Sequence, residues 1–188
     1  MKAIVSLLGL ALLSACASDK KSDTAGSGSS AEANTITFNN FDAGGGWSND
    51  PGRNDPTLLD KGRAHSGQYA IKVDPNHEFS LTYDMVLGQL ASHKFKTVRL
   101  NAWVFMPSNR ATGVLVLQVM KADKNEQVYG DGIKLGETVK TYNEWVAVSK
   151  DFDLPDDIAP GQHLRLSLWR ADASDIVLAD DVKLSIVK

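Results

Sequence analysis

Apolar side chains recur at every second position in many short runs of this chain, and that period leaves little choice of fold class. Val98, Leu100, Ala102, Val104 and Met106 alternate with Arg99, Asn101, Trp103 and Phe105. Leu164, Leu166 and Leu168 alternate with Arg165, Ser167 and Trp169. Phe79, Leu81, Tyr83 and Met85 alternate with Ser80, Thr82 and Asp84. Shorter runs repeat the pattern at Tyr69, Ile71 and Val73, at Val146 and Val148, and at Val182, Leu184 and Ile186. Successive side chains of a strand point to opposite faces, so period two marks strands with one buried face. The nearly continuous apolar run from Val114 to Met120 fits a central strand covered on both sides. Turn formers lie between the runs: Pro51-Gly52, Asp74-Pro75-Asn76, Gly130-Asp131-Gly132 and Pro160-Gly161. No segment carries a convincing helical stripe; residues 86–94 have room for one helical turn. The reading is all-β, a β-sandwich or jelly roll.

The start of the chain has a different character. Lys2 precedes an apolar stretch, residues 3–15, that closes on small residues at Ser14 and Ala15. This is the layout of a secretory signal peptide. The stretch is too short to cross a hydrocarbon core of ~30 Å as a helix. Leu13-Ser14-Ala15-Cys16 resembles a bacterial lipobox, and Cys16 is the single cysteine, with no disulfide partner to account for it. The resemblance implies cleavage before Cys16, its lipidation, and a protein anchored to a membrane outside the cytoplasm. Ala17, rather than Asp, after the cysteine resembles an outer-membrane address. The alternative is an ordinary signal peptide that contains a cysteine. Residues 16–34 are rich in Ser, Gly, Ala and Asp and read as a tether, because they bury too little to offset their ordering entropy. Residues 35–188 are enough for one domain. With a net charge of −3 and no Lys/Arg cluster, nucleic acid is excluded as a partner class.

If the leucines of residues 164–168 and the aliphatic side chains of residues 98–104 point inward, the opposite phase carries Trp103 with Arg99 and Asn101, and Trp169 with Arg165. An indole among hydrogen-bonding side chains suits a sugar: the flat ring covers the C–H face, and amide and guanidinium groups bond the hydroxyls. Covering about half of an indole is worth roughly 2–3 kcal/mol before association costs. The expectation is that Trp103 and Trp169 look out together from one open face. Trp47, after Gly44-Gly45-Gly46, is a candidate for an adaptable rim, whereas Trp145 is expected to pack against the core. The competing reading of any of these rings is packing at a sandwich edge.

Several landmarks, taken in order, resemble the galactose-binding-like jelly roll of bacterial carbohydrate-binding modules. They are Asn40-Phe41-Asp42, Trp47, His65-Ser66-Gly67 before a strand, Leu100 to Val104, Asn143-Glu144-Trp145, and Ala179-Asp180-Asp181-Val182. The resemblance covers residues 35–188. It implies that Gln118 lies on the same face as Trp103 and Trp169. It also implies a structural calcium tying the first strand to the last through Asp42 and Asp180, with Asp181 next to them, since calcium takes six to eight oxygens. Fold alone does not settle function.

Catalysis finds no support. The four histidines form no H-E-x-x-H spacing, no G-x-S-x-G elbow lies in the domain, and the acidic residues form no pair suited to glycoside hydrolysis. The expected function is a non-catalytic, lipid-anchored module that binds a polysaccharide or oligosaccharide. The alternative is a structural lipoprotein of the cell envelope that contacts another envelope protein, and a polysaccharide-active enzyme ranks below both.

Overall fold

The computed structural model describes residues 34–49 and 55–188. The signal peptide, the lipidated Cys16 and the tether expected from sequence lie outside the described residues. Eleven strands follow one another: β1 Thr35–Asn39, β2 Trp47–Ser48, β3 Leu59–Lys61, β4 Tyr69–Val73, β5 Phe79–Val86, β6 Thr97–Phe105, β7 Val114–Met120, β8 Gln127–Lys134, β9 Trp145–Asp153, β10 His163–Trp169 and β11 Val177–Ile186. The turn foreseen in residues 86–94 is a 3-10 turn, Leu87–Gln89, and among the described residues two further helical turns span Pro56–Leu58 and Leu135–Thr138.

The strands form two antiparallel sheets. Sheet A has the order β3-β4-β11-β6-β9, with β1 pairing β11 beyond the end of β4; sheet B has the order β2-β5-β10-β7-β8. Apart from the consecutive pairs β3-β4 and β7-β8, neighbours in both sheets are distant in sequence, as in a jelly roll. The period-two reading holds at the centre: Val98, Leu100, Ala102 and Val104 of β6 face Leu164, Leu166 and Leu168 of β10 across a dry core. Leu115, Leu117 and Val119 of β7 join them from sheet B. The run from Val114 to Met120 is thus central, but its other face, at Val114, Val116 and Gln118, is only half-covered.

Two bulges re-aim side chains. Register slips where Ser167 and Trp169 of β10 meet β5, and Ser80 fills the interrupted ladder: its Oγ accepts from the Leu168 N–H at 3.0 Å and donates to the Leu81 carbonyl at 2.8 Å. Phe79 is thereby paired with Trp169 and turned outward rather than into the core with Leu81. A second slip lies between Asp180 and Lys183 of β11, where Asp181 takes a left-handed φ of 47°.

Candidate functional site

The outer face of sheet B is graded across its five strands. In register from β2 to β8, Ser48, Thr82, Ser167, Val116 and Gly132 form a transverse row of small side chains. Any Cβ at Gly132 would fall 2.8 Å from the Leu115 carbonyl oxygen, so that end of the row has to stay low. Along one side run Phe79, Trp169, Val114 and Lys134; along the other run Asp84, Arg165, Gln118 and Gly130. At the usual strand geometry these rows lie ~6.6 Å apart, and the low row crosses about 19 Å of sheet. The result is a floor of small residues with an aromatic wall and a polar wall.

The aromatic wall is a stacked pair. Phe79 and Trp169 lie nearly parallel, 13° apart, with ring centroids at 6.2 Å, and Phe79 is half exposed. The indole Nε1–H donates to Glu78 Oε1 at 3.3 Å, which fixes the ring's orientation. On the polar wall the Gln118 amide donates to Oε1 of Gln127, whose own amide group lies where a side chain at Gly130 would stand. Asp84 is the hub. Its carboxylate meets His163 Nδ1 at 2.6 Å and Lys124 Nζ at 3.0 Å, with Arg165 Nε at 3.5 Å. Burial raises the Asp84 pKa, but hydrogen bonds and charge from Lys124 and His163 outweigh it and hold the carboxyl below its ordinary value. Arg165 Nε is enclosed yet makes no hydrogen bond, because the approach to Asp84 lacks hydrogen-bonding geometry.

Sheet A's outer face is arranged differently. Trp103 is outward-facing, as its strand phase demands, but the His65 imidazole stacks on it at 3.9 Å and 11°. Trp145 adds an edge contact to His65 at 5.9 Å and tilts against Phe105. It therefore packs on the exterior of sheet A and not against the core as expected. The loop that carries His65 is stapled down by three carboxylates. Asp42 Oδ1 accepts from the Gln68 and Tyr69 N–H groups. Asp180 accepts from the N–H groups of His65, Ser66 and Asp181. Asp181 bonds His65 Nδ1 and the Ser66 hydroxyl, both at 2.6 Å. Gly67 runs so close to Asp42 that a Cβ there would sit 1.7 Å from Oδ2.

Measured against these two faces, the sequence expectations divide. Trp169, Arg165 and Gln118 come together on sheet B. Trp103, Asn101 and Arg99 lie on sheet A, so the expectation that both indoles share one face is corrected: they look out of opposite exteriors. Strand phase tells in from out but not which sheet a strand joins. The Arg99 guanidinium is taken up by Asp151, at 2.6 and 2.8 Å, while Asn101 and Trp103 border a cavity of about 300 Å³ with Ser149 and Asp181.

Trp47 is corrected as well. It is 1 % exposed, packed edge-on to Phe41 at 5.3 Å and against Tyr83 at 6.1 Å. Gly45 and Gly46, with φ of 55° and 79°, make a tight turn that folds the indole inward, closed by the Trp47 backbone N–H on the Gly44 carbonyl at 3.2 Å. The expected calcium ligands Asp42, Asp180 and Asp181 do not fit a hard cation as arranged. Asp42 Oδ1 and both oxygens of Asp180 and of Asp181 already hold hydrogen-bond partners, whose donors present positive ends to the space a cation would take. Among the described residues no three His, Cys, Asp or Glu side chains gather as a metal cage.

Phe79 and the Asp84 hub were not foreseen. Phe79 reads as a core position until the bulge is known, and the hub joins residues from β5, β10 and the turn before β8.

No protein-family model and no curated protein matches the chain. Solved structures do. One is the CBM22-1 xylan-binding domain from Paenibacillus barcinonensis, at 19% identity over 82% of this chain and 95% of that one, with a TM-score of 0.50. A second is the C-terminal family 22 carbohydrate-binding module of a Clostridium thermocellum protein, at 12% identity over 82% and 94%, with a TM-score of 0.54. A third is another CBM 22 xylan-binding domain, at 14% identity over 82% and 96%, with a TM-score of 0.52. The chain has the jelly-roll fold of these modules. At such identities the likeness establishes the fold.

Proposed function

We propose that the domain is a non-catalytic module that binds a polysaccharide chain across the outer face of sheet B. In this reading a lipid on Cys16 and the tether of residues 16–34 hold it at the cell envelope. The observation that carries the reading is the graded face itself: an exposed Phe79 stacked on a half-buried Trp169 and a polar wall at Asp84, Arg165 and Gln118, on either side of a floor of small residues. A glycan chain laid along the floor would place a sugar face on the aromatic pair and hydroxyls against the amide and guanidinium groups. Solved xylan-binding domains with this fold make xylan the first polysaccharide to try. Among the described residues no pair of carboxylates flanks the floor in a way that suits hydrolysis, since Asp84 is held by Lys124 and His163.

Affinity electrophoresis through gels containing a polysaccharide panel headed by xylan tests this. Retardation by at least one glycan, abolished in Trp169→Ala and weakened in Phe79→Ala, is the expected result. A panel with no retardation, or retardation indifferent to both substitutions, sinks it.

A further inference from the structure

We infer that the ligand of sheet B carries carboxylate groups, and that Arg165 is the residue that selects for them. This rests on the proposed binding face and narrows the class of glycan to a uronate-bearing one.

The inference starts from how the other arginines are used. Arg63 and Arg99 each spend their guanidinium on a two-pronged pair with one carboxylate, Asp60 and Asp151 respectively. Arg170 donates Nη1 to the Ala173 carbonyl, and Arg110 lies at the rim, 3.9 Å from Asp175. Arg165 instead occupies β10, the middle strand of sheet B, directly between Asp84 and Gln118. Among the described residues its only carboxylate neighbour is Asp84, at 3.5 Å and without a hydrogen bond. The same carboxylate is already held by Lys124 and His163 at hydrogen-bonding distance. Asp84 is thus neutralised by Lys124, and the Arg165 charge is left over. Among the described residues no hydrogen bond engages its two Nη groups.

A planar fork with uncommitted donors is the side chain best shaped to take a carboxylate through two parallel hydrogen bonds. Here the fork lies one strand spacing from the Gln118 amide, which can bond a neighbouring hydroxyl. The Phe79–Trp169 pair stands two rows away along β10 and β5, ~13 Å off. A sugar stacked there and a uronate at Arg165 would therefore belong to one chain lying aslant the floor. Glu78, on the indole nitrogen at the aromatic end, discourages a carboxylate there, and Lys134, the cation of that row, is paired with Glu137 at 3.4 Å, so the uncommitted fork of Arg165 is the place for the acidic group.

The test uses titration calorimetry of the full domain with glucuronoxylan and with polygalacturonate. Each is compared with its own carboxyl-reduced form, in which the acids have become alcohols. At least one acidic polymer is expected to bind about tenfold more tightly than its reduced form at low salt, the size of one charge-assisted contact. That ratio should shrink as salt is added. It should fall towards one in Arg165→Gln and in Gln118→Glu, which leaves the arginine in place and pairs it with a carboxylate. Arg165→Lys, a charge without the fork, should keep only part of it. Equal affinity for acidic and reduced polymers, or a preference that survives in both Arg165→Gln and Gln118→Glu, overturns the inference while leaving a glycan-binding face. No binding to any of the four polymers overturns the inference together with the face.

Discussion

On sheet A the indole of Trp103 lies 3.9 Å from an imidazole of its own chain; on sheet B the indole of Trp169 is stacked on a half-exposed phenylalanine at 6.2 Å. The chemistry around the two rings is similar in kind, with an arginine, amides and hydroxyls close by. What differs is who occupies the ring. A loop stapled by Asp42, Asp180 and Asp181 delivers His65 onto Trp103, so the contact a sugar would make is made internally and helps to hold the loop. No loop of the described chain delivers a ring other than Phe79 to Trp169. An outward tryptophan is therefore a binding platform where its ring partner is itself exposed and extends the apolar surface, as Phe79 does, and not where a stapled loop lays a ring over it.

This contrast can be broken by substitution, beginning with the residue that belongs to neither exterior. Trp47→Ala should destabilise the domain by about 3–5 kcal/mol, as emptying a core of an aromatic ring does. Chemical denaturation measures it. A loss under 1 kcal/mol would return Trp47 to a rim. Next in size, Trp169→Ala should weaken glycan binding by about thirtyfold, near 2 kcal/mol, while shifting the melting temperature little. Trp103→Ala should do the reverse, lowering stability by about 1–2 kcal/mol through the lost stack and leaving glycan affinity within twofold. Parallel calorimetry and melting of the two variants decides between them, and an exchange of their phenotypes would reverse the assignment of faces.

Two smaller effects follow from the charged groups. Asp84 has a folded-state pKa below its ordinary value of 3.8, so it contributes stability that is present above that value and lost as pH falls through the lowered one. Acid titration of stability should show a loss in this window that Asp84→Asn no longer shows. The smallest expected effect is that of calcium. Because the carboxylates on sheet A already hold N–H and O–H donors, added calcium or a chelator should move the melting temperature by less than about 1 °C, well under what a tight ligand gives. A clear rise with calcium would show that the loop of residues 62–68 rearranges into a cation site.

Much of the architecture was legible in the residues. The alternation at residues 98–106 and 164–169 fixed which side chains enter the core, because period two needs only local geometry. Trp169 and Arg165 were named from it, Gln118 from the family resemblance, and the three do lie on one face. Sheet membership was beyond its reach: β6 and β10 have equally clear phases, yet one joins each sheet, and that depends on pairings between strands far apart in sequence. Phase itself failed at Phe79, where one bulge reverses it, and the glycines before Trp47, read as an adaptable rim, serve a tight turn. The Asp84 hub draws on residues some 80 positions apart, and nothing local announces it.

The domain has four tryptophans, so four indole N–H signals report separately on the core, on sheet A and on sheet B. The most direct measurement is a nuclear magnetic resonance titration with glucuronoxylan fragments that follows these signals. Movement of the Trp169 indole, with Trp103, Trp145 and Trp47 still, is the outcome expected if sugars lie across sheet B. Movement of Trp103 with Trp169 silent would place the ligand on the opposite exterior and contradict the account.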